Sequence, residues 1–393
     1  SAKTYYNASE KALYMYNGAS TGSSHAAFAP MNGNCNNLTV KGSTGTDSMN
    51  LNLVRVPGTC NGISIGGLLT INLGDGNDTL LSARLANGDS VDMGAGDDTV
   101  YVMVSSISGT SLTKLDGGTG SDLLAFTESS GSNGQTLSLA SAGATNFENL
   151  LGSSYQETLQ GDANANRIAG DGGLDTLYGY GGDDILAAGG YSVINSSGAG
   201  DNYILSVVND TSSNDNDVLY GGAGDDMLLG SSGDNTLDGG TGTDTIWSGT
   251  GSDTIVIRSG DGSTTLADAD VLKDFSDGTD VIGMSSVAFD DLTIAQGTGD
   301  YASHTLTSVT ATGEYLLVLE NTSASNVTVV DFVLNTSAAQ TLSGSSSDNT
   351  LIGGLGGDTI TTGSGTDNVL GHAGDDTITV DGSGVKTIDG GAG

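Results

Sequence analysis

Aspartate recurs at intervals of nine residues along much of this 393-residue chain. Four consecutive nonapeptides cover 221–256, and each carries Asp or Asn at its sixth position. Carboxylate and carbonyl oxygens are the donors that Ca²⁺ prefers, so a carboxylate repeated on such a grid can supply ligands to a hard divalent cation. The copies read GGAGDDMLL, GSSGDNTLD, GGTGTDTIW and SGTGSDTIV. The spacing therefore indicates cation binding.

Two further arrays, at 161–187 and 344–379, repeat the pattern GGxGxDxUx, in which U is a large apolar residue. Looser copies surround Asp47, Asp78, Asp98, Asp122 and Asn202. The Asn members can ligate through an amide oxygen but bring no charge, so sites that share them are expected to be weaker. The candidate metal ligands are Asp78, Asp98, Asp122, Asn166, Asp175, Asp184, Asn202, Asp217, Asp226, Asn235, Asp244, Asp253, Asn349, Asp358, Asp367 and Asp376.

Short strands and tight turns must position these side chains. A segment such as DTI or DML alternates its side chains between two faces, and the preceding glycines supply the positive φ of a tight turn. Two nonapeptides make one coil of 18 residues, and successive coils stack as parallel strands about 4.8 Å apart. Each coil buries only its U residues. The pattern predicts an all-β, elongated parallel β-roll (β-solenoid) of stacked 18-residue coils, with interrupting β-rich segments.

Acidic residues 18 apart lie above one another in such a stack, which places Asp226 beside Asp244 and Asp358 beside Asp376. Like charges at that spacing repel strongly, and a divalent cation between them removes the repulsion. Turn carbonyls complete the oxygen shell, an irregular geometry that suits Ca²⁺ better than Mg²⁺. The sequence therefore predicts multiple Ca²⁺ ions; the alternative is a solvated acidic face without bound metal.

Composition agrees with this prediction and excludes several classes of protein. The formal net charge is -37, and Asp supplies all but six of the 47 acidic groups. Such a surface repels nucleic acid. Hydrophobic residues make up 36%, which is thin for a compact core of this length. No apolar run is long enough for a transmembrane helix. The three His residues have no partner at zinc-ligand spacing.

These repeats resemble the RTX family, the calcium-binding parallel β-roll repeats of secreted proteins of Gram-negative bacteria. The segments DADVLKDFSDGTDVIGM (268–284) and FENLLGSSYQETLQGDANANRIAG (147–170) also look like the regions that flank RTX arrays. The resemblance implies calcium as cofactor, export by type I secretion and folding outside the cell. It also implies a ligand role for the family's Asp positions, which here are Asp175, Asp184, Asp217, Asp226, Asp244, Asp253, Asp358, Asp367 and Asp376.

The chain divides, on this reading, into six regions. Cys35 and Cys60 lie in the first of them, and we expect a disulfide in an exported protein, with two unpaired thiols as the alternative. The Tyr-rich start is expected to be a short helix or an extended aromatic strand that caps the first coil, or else a subunit or anchor contact. The regions are an N-terminal cap or anchoring region (1–70), a first irregular RTX roll (71–130), a connecting β segment (131–160), the main RTX roll (161–260), a β-rich inter-roll segment (261–343) and a second RTX roll cut mid-repeat (344–393).

The cut at TIDGGAG leads us to expect a fragment of a longer protein, or an open coil that another molecule completes.

We do not expect an enzyme, because the sequence has no HExxH, and its one GxSxG, at 18–22, lacks the flanking strand and helix of a nucleophile elbow. Ice binding would need a ladder of Thr at the third repeat position, where Ala223 and Leu355 break the series.

The expected function is that of a non-catalytic extracellular structural protein, a surface-layer, filament or matrix subunit rigidified by calcium. The alternatives are a module of a large RTX adhesin or the RTX part of a secreted hydrolase. We expect self-assembly into a homo-oligomeric lattice or filament, with cell-surface polysaccharide as a further candidate partner. No nucleic-acid partner and no transmembrane segment are expected. The expected location is the surface of a Gram-negative bacterium.

Overall fold

A computed structural model describes residues 3–7, 12–16, 38–41, 48–50, 69–83, 88–102, 114–126, 134–139, 144–189, 191–195, 203–207 and 215–393. The chain forms two compact units, Ser1–Asn209 and Asp210–Gly393. The boundary lies inside the predicted main roll, shortly after Asn202. In the described part of the chain, regular structure consists of strands and short 3-10 turns, and no helix is long and apolar enough to cross a membrane.

The first unit contains nineteen named strands within its described residues. They are β1 (Lys3–Asn7), β2 (Ala12–Tyr16), β3 (Leu38–Lys41), β4 (Ser48–Asn50), β5 (Leu69–Asp75), β6 (Thr79–Ala83), β7 (Ser90–Ala95), β8 (Thr99–Val102), β9 (Lys114–Thr119), β10 (Leu123–Phe126), β11 (Gln135–Ser138), β12 (Ala144–Thr145), β13 (Asn149–Leu151), β14 (Glu157–Gln160), β15 (Arg167–Ala169), β16 (Thr176–Gly181), β17 (Ile185–Ala187), β18 (Tyr191–Asn195) and β19 (Tyr203–Val207).

Two faces of parallel strands run through this unit. One face follows the order β3-β5-β7-β9-β12, and the facing sheet follows β4-β6-β8-β10-β13-β15-β17. A third set, β11-β14-β16, belongs to a separate parallel sheet. The predicted connecting segment 131–160 thus takes part in the roll, because β13 pairs in parallel with both β10 and β15.

Antiparallel pairs occur at two places among the described residues of this unit. At the N-terminus β1 pairs with β2, so the Tyr-rich start is extended and the helical alternative is wrong. Strands β18 and β19 form a second antiparallel pair, which is a two-stranded sheet of its own. Asp47, Asn202, Cys35 and Cys60 lie outside the described residues, so their predicted roles remain predictions.

The second unit contains the regular nonapeptides and the segment that follows them. Its strands are β20 (Val218–Ala223), β21 (Met227–Leu229), β22 (Thr236–Thr241), β23 (Thr245–Trp247), β24 (Thr254–Arg258), β25 (Val271–Leu272), β26 (Val281–Ser285), β27 (Leu292–Gln296), β28 (Thr305–Val309), β29 (Tyr315–Leu319), β30 (Phe332–Leu334), β31 (Thr341–Ser343), β32 (Thr350–Ile352), β33 (Thr359–Thr361), β34 (Asp367–Leu370), β35 (Thr377–Thr379) and β36 (Lys386–Asp389).

Parallel pairing continues past the last nonapeptide of the main array. One sheet runs β20-β22-β24-β26-β30, and the opposite sheet runs β21-β23-β25-β29, to which β28 and β27 add as antiparallel strands. The predicted inter-roll segment 261–343 is therefore built onto the roll. The second roll consists of the sheets β31-β33-β35 and β32-β34-β36.

The U residues form the core, as the periodicity predicts. Leu219 pairs in register with Leu237 and Leu237 with Ile255, each 18 residues apart, and all three are fully buried. On the other side Leu228 pairs with Ile246. Stacking identical positions keeps every apolar side chain against its neighbours above and below, which accounts for a stable core only a few side chains wide.

Candidate calcium sites

A hydrogen-bonded column links the sixth-position residues of successive coils. The N–H of Asp226 donates to Oδ1 of Asp244 at 2.9 Å, and the N–H of Asn235 donates to Oδ1 of Asp253 at 2.8 Å. The N–H of Asp217 donates in the same way to Oδ1 of Asn235 at 2.9 Å. Each of these residues directly precedes a strand. Every side chain therefore reaches back toward the preceding coil, and residues 18 apart lie together as the spacing predicts.

The same contact recurs in the other arrays. The N–H of Asn166 donates to Oδ1 of Asp184 at 2.7 Å, and that of Asp358 to Oδ1 of Asp376 at 2.8 Å. Asn349 is linked in this way to Asp367 and Glu157 to Asp175. In the first irregular roll, Asp78 donates to Asp98 across 20 residues and Asp98 to Asp122 across 24 residues. The longer coils thus make the same contact between successive Asp residues as the 18-residue coils do.

Burial makes these carboxylates unusual acids. It raises the pKa of Asp244 to about 7, and the neighbouring Asp226 carboxylate adds to the effect. Burial likewise raises the pKa of Asp253 to about 7, of Asp122 to about 7 and of Asp98 to about 6. Desolvation and the adjacent like charge both disfavour ionisation, so a bound cation would stabilise the charged form.

One oxygen of each of these groups is left over. Oδ1 is used in the column, whereas Oδ2 of Asp98, Asp122, Asp244 and Asp253 is buried with no hydrogen-bond partner. Oδ2 of Asp376 is buried in the same way. Buried polar atoms almost always have a partner, so these atoms point to an absent one.

Glycine residues border the space beside those oxygens. A methyl group added at Gly371 would overlap both Oδ2 of Asp376 and the carbonyl oxygen of Gly390 in the next coil. A methyl group at Gly221 would overlap Oδ2 of Asp226 and the carbonyl oxygen of Gly239. The first glycine of the repeat thus leaves a cradle bordered by a carboxylate oxygen and a carbonyl oxygen of the next coil.

Asn235 shows which other atoms surround this cradle. Its amide Nδ2 donates to the carbonyl oxygens of Gly230 at 3.0 Å and Gly233 at 3.2 Å, which belong to the same turn. In a repeat with Asp at this position, the carboxylate and the two turn carbonyls are all oxygen ligands. A cation can then occupy the space that the amide hydrogens of Asn235 fill. Three His, Cys, Asp or Glu side chains do not converge on one point anywhere in the described residues, so carbonyl oxygens must complete the shell.

The residues present therefore fit calcium. The sixth-position carboxylates of two successive coils, with the carbonyls of the glycine turns, would hold the ion and supply a hard all-oxygen shell. Bound there, calcium would neutralise paired carboxylates and join one coil to the next. The fit differs among sites, because Oδ2 of Asp358 instead accepts the N–H of Gly354 at 2.8 Å.

Sequence reasoning missed Glu157, which is linked to Asp175, and three further acidic members of the columns. The N–H of Asp122 donates to Oε2 of Glu148, that of Asp244 to Oδ1 of Asp270, and that of Asp253 to Oδ1 of Asp280. Burial raises the pKa of Asp270 to about 8. The latter three lie outside any nonapeptide, 26 or 27 residues from their partners. The signal available was an acid one or two residues before an apolar strand.

A second ladder, at the fifth repeat position, was also missed. The side chain of Asp225 accepts the N–H of Thr243 at 2.9 Å, and that of Asp234 accepts the N–H of Ser252 at 2.8 Å. Here the earlier coil supplies the acceptor, opposite to the sixth-position column. The recurrent Asp or Asn at position five was the sequence signal. This ladder is exposed and ties each turn to the next.

Comparison with known proteins agrees with this geometry. The family model of the RTX calcium-binding nonapeptide repeat matches residues 151–190, 211–237, 220–255, 229–263 and 343–378. These segments are RTX calcium-binding repeats. The matched ranges hold most of the columns described above, and RTX repeats are typical of secreted extracellular proteins.

A solved structure of the AlgE6R3 subunit from the Azotobacter vinelandii mannuronan C5-epimerase is also similar to the chain. The two share 21% sequence identity over 46% of this chain and 80% of that one, with a TM-score of 0.19. The comparison with curated proteins finds no match.

Proposed function

We propose that this chain is a non-catalytic structural protein of the cell surface of a Gram-negative bacterium, exported by type I secretion. It would act as a surface-layer, filament or matrix subunit whose RTX rolls become rigid when they bind calcium outside the cell. The observation that supports the proposal is the succession of sixth-position columns within each unit. Asp98, Asp122, Asp244 and Asp253 in these columns each have a buried Oδ2 without a hydrogen-bond partner and a raised pKa.

A structural role suits this arrangement because the metal ligands are used between coils. The cradles lie in the glycine turns, so an ion held there joins coil to coil and is enclosed by the chain's own oxygens. Neutralising the buried acids also reduces the repulsion within a chain of formal net charge -37. Such a roll would be soft without calcium and stiff with it.

Self-assembly is the decisive test. Purified chain would be followed by light scattering and electron microscopy while calcium is added and then removed with EGTA. A lattice or filament subunit assembles into ordered sheets or fibres with calcium and disperses with EGTA. A chain that folds with calcium but stays monomeric contradicts the proposal and indicates a module of a large adhesin. Electron microscopy of native cell-surface material with and without EGTA extends the test to the cell.

A further inference from the structure

Lys386 stands at the sixth repeat position of the final coil. Residues 381–389 read DGSGVKTID, which keeps the glycines at positions two and four and the U residue of the nonapeptide, but has Asp at position one and Lys at position six. Strands β34 and β36 pair in parallel with Asp367 opposite Lys386, 19 residues apart. The column Asn349–Asp367 therefore continues to a cationic residue.

The Lys386 ammonium lies against the oxygens of the preceding turn. Nζ donates to Oδ2 of Asp367 at 2.6 Å, to the carbonyl oxygen of Gly365 at 2.8 Å and to that of Ser383 at 3.4 Å. The Lys386 side chain is only 7% exposed and that of Asp367 is fully buried. Because the other oxygen of Asp367 accepts the N–H of Asn349, both oxygens of this carboxylate have partners.

The position of the ammonium matches that of the Asn235 amide in the main array. Gly365 precedes Asp367 by two residues, as Gly233 precedes Asn235, and in both turns the glycine carbonyl accepts a hydrogen bond from a side-chain nitrogen. The ammonium thus sits among the carboxylate and carbonyl oxygens that would otherwise surround a cation.

We propose that the Lys386 ammonium takes the place of a calcium ion at Asp367, so that this coil closes without calcium. The Asp367–Lys386 pair carries no net charge, whereas the Asp–Asp pairs need a divalent cation to remove their repulsion. A calcium ion there would have to displace a buried ammonium held by three oxygens. The residues at Asp367 consequently do not fit the ligand role that its place in the repeat predicts.

Calcium counting tests the assignment directly. Equilibrium dialysis of the full chain against saturating calcium would compare D367N with D376N, a matched change at a carboxylate whose Oδ2 has no partner. The expected result is that D376N binds one ion fewer than the wild type and D367N binds the same number. Loss of an ion in D367N would overturn the proposal.

Substitution of the lysine supplies an independent arm that does not depend on the stability of D367N. K386D recreates an Asp–Asp pair and is expected to bind one additional calcium ion, whereas K386M is expected to bind as many as the wild type. K386D without an additional ion, or K386M with one fewer, would refute the inference. The inference rests on the calcium binding of the proposed function. A wild-type chain that binds no calcium would refute that function, whereas loss of an ion in D367N alone would refute only the role of Lys386.

Discussion

Lowering the pH of the calcium-free chain from about 7 to about 5 is expected to stabilise the rolls. Asp244 and Asp253 have pKa values of about 7 in the fold against an ordinary value of 3.8. A carboxyl with a raised folded pKa favours the folded state in its protonated form. Its penalty is absent below the unfolded value of 3.8 and grows as the pH rises toward 7. Protonation of these carboxyls should therefore stabilise the calcium-free fold, as calcium binding does for the ionised carboxylates.

The size of the effect follows from the two pKa values. For a single such carboxyl, the free-energy penalty is about 4 kcal/mol at pH 7 and falls to about 2 kcal/mol at pH 5. Each fully buried group thus contributes about 2 kcal/mol of stability over this interval, which is a large part of the stability of an ordinary domain. Calcium at the same carboxylates holds them ionised, so the loaded chain should show little change with pH in this range.

The assay is urea unfolding followed by far-ultraviolet circular dichroism, in EGTA and in excess calcium, at several pH values between about 5 and about 7.5. In EGTA the unfolding midpoint should rise as the pH falls. D244N is the matched control, because its amide keeps the Oδ1 acceptor for Asp226 and can donate to turn carbonyls as Asn235 does. This variant should be more stable than the wild type in EGTA at pH 7 and should depend less on pH.

Two results would refute this reasoning. One is a calcium-free midpoint that is constant or falls as the pH is lowered toward 5, because the buried carboxylates would then not be the destabilising groups. The other is a D244N variant with the full pH dependence of the wild type, because Asp244 would then make no contribution.

Three other perturbations address the cradle, the core and the cysteines. G239A places a methyl group against Oδ2 of Asp244, so it should lower calcium affinity and cost about 1–3 kcal/mol of stability. In the control G390A the added methyl group meets no atom within 4 Å, so neither effect is expected. Equal calcium titrations of the two variants would contradict a calcium site beside Gly239. L237A should cost about 2–5 kcal/mol in urea unfolding with calcium present, because Leu237 is fully buried, while L355A at an exposed leucine should cost little. Thiol labelling of the native chain should modify neither cysteine, and labelling of both would exclude the disulfide.

Much of the fold could be read from the repeat. A coil of 18 residues leaves only one register in which the U residues stay buried and the glycines stay in the turns, because a slip of one residue would turn every side chain to the other face. The pairs Leu219–Leu237 and Asp226–Asp244 therefore followed from counting. The choice between helix and strand at the N-terminus did not, because an isolated aromatic segment has no repeat to fix its partner.

The columns outside the regular arrays needed the tertiary structure. Asp98, Glu148, Asp270 and Asp280 lie in line with other acids of the columns, although 20 to 27 residues separate them from their partners. Periodicity cannot say which acid reaches the column once the period is broken.

The sequence by itself determined the chemistry of this protein: a parallel β-roll whose stacked carboxylates need cations. Only the tertiary structure decided which partner each sixth-position side chain has, since that depends on the direction of one side chain in a buried turn. At Asp244 it leaves an oxygen without a partner, at Asn235 it turns an amide onto the carbonyls, and at Asp367 it brings in the ammonium of Lys386. In a buried, poorly solvated turn these differences of a few ångströms decide which cation the site can hold.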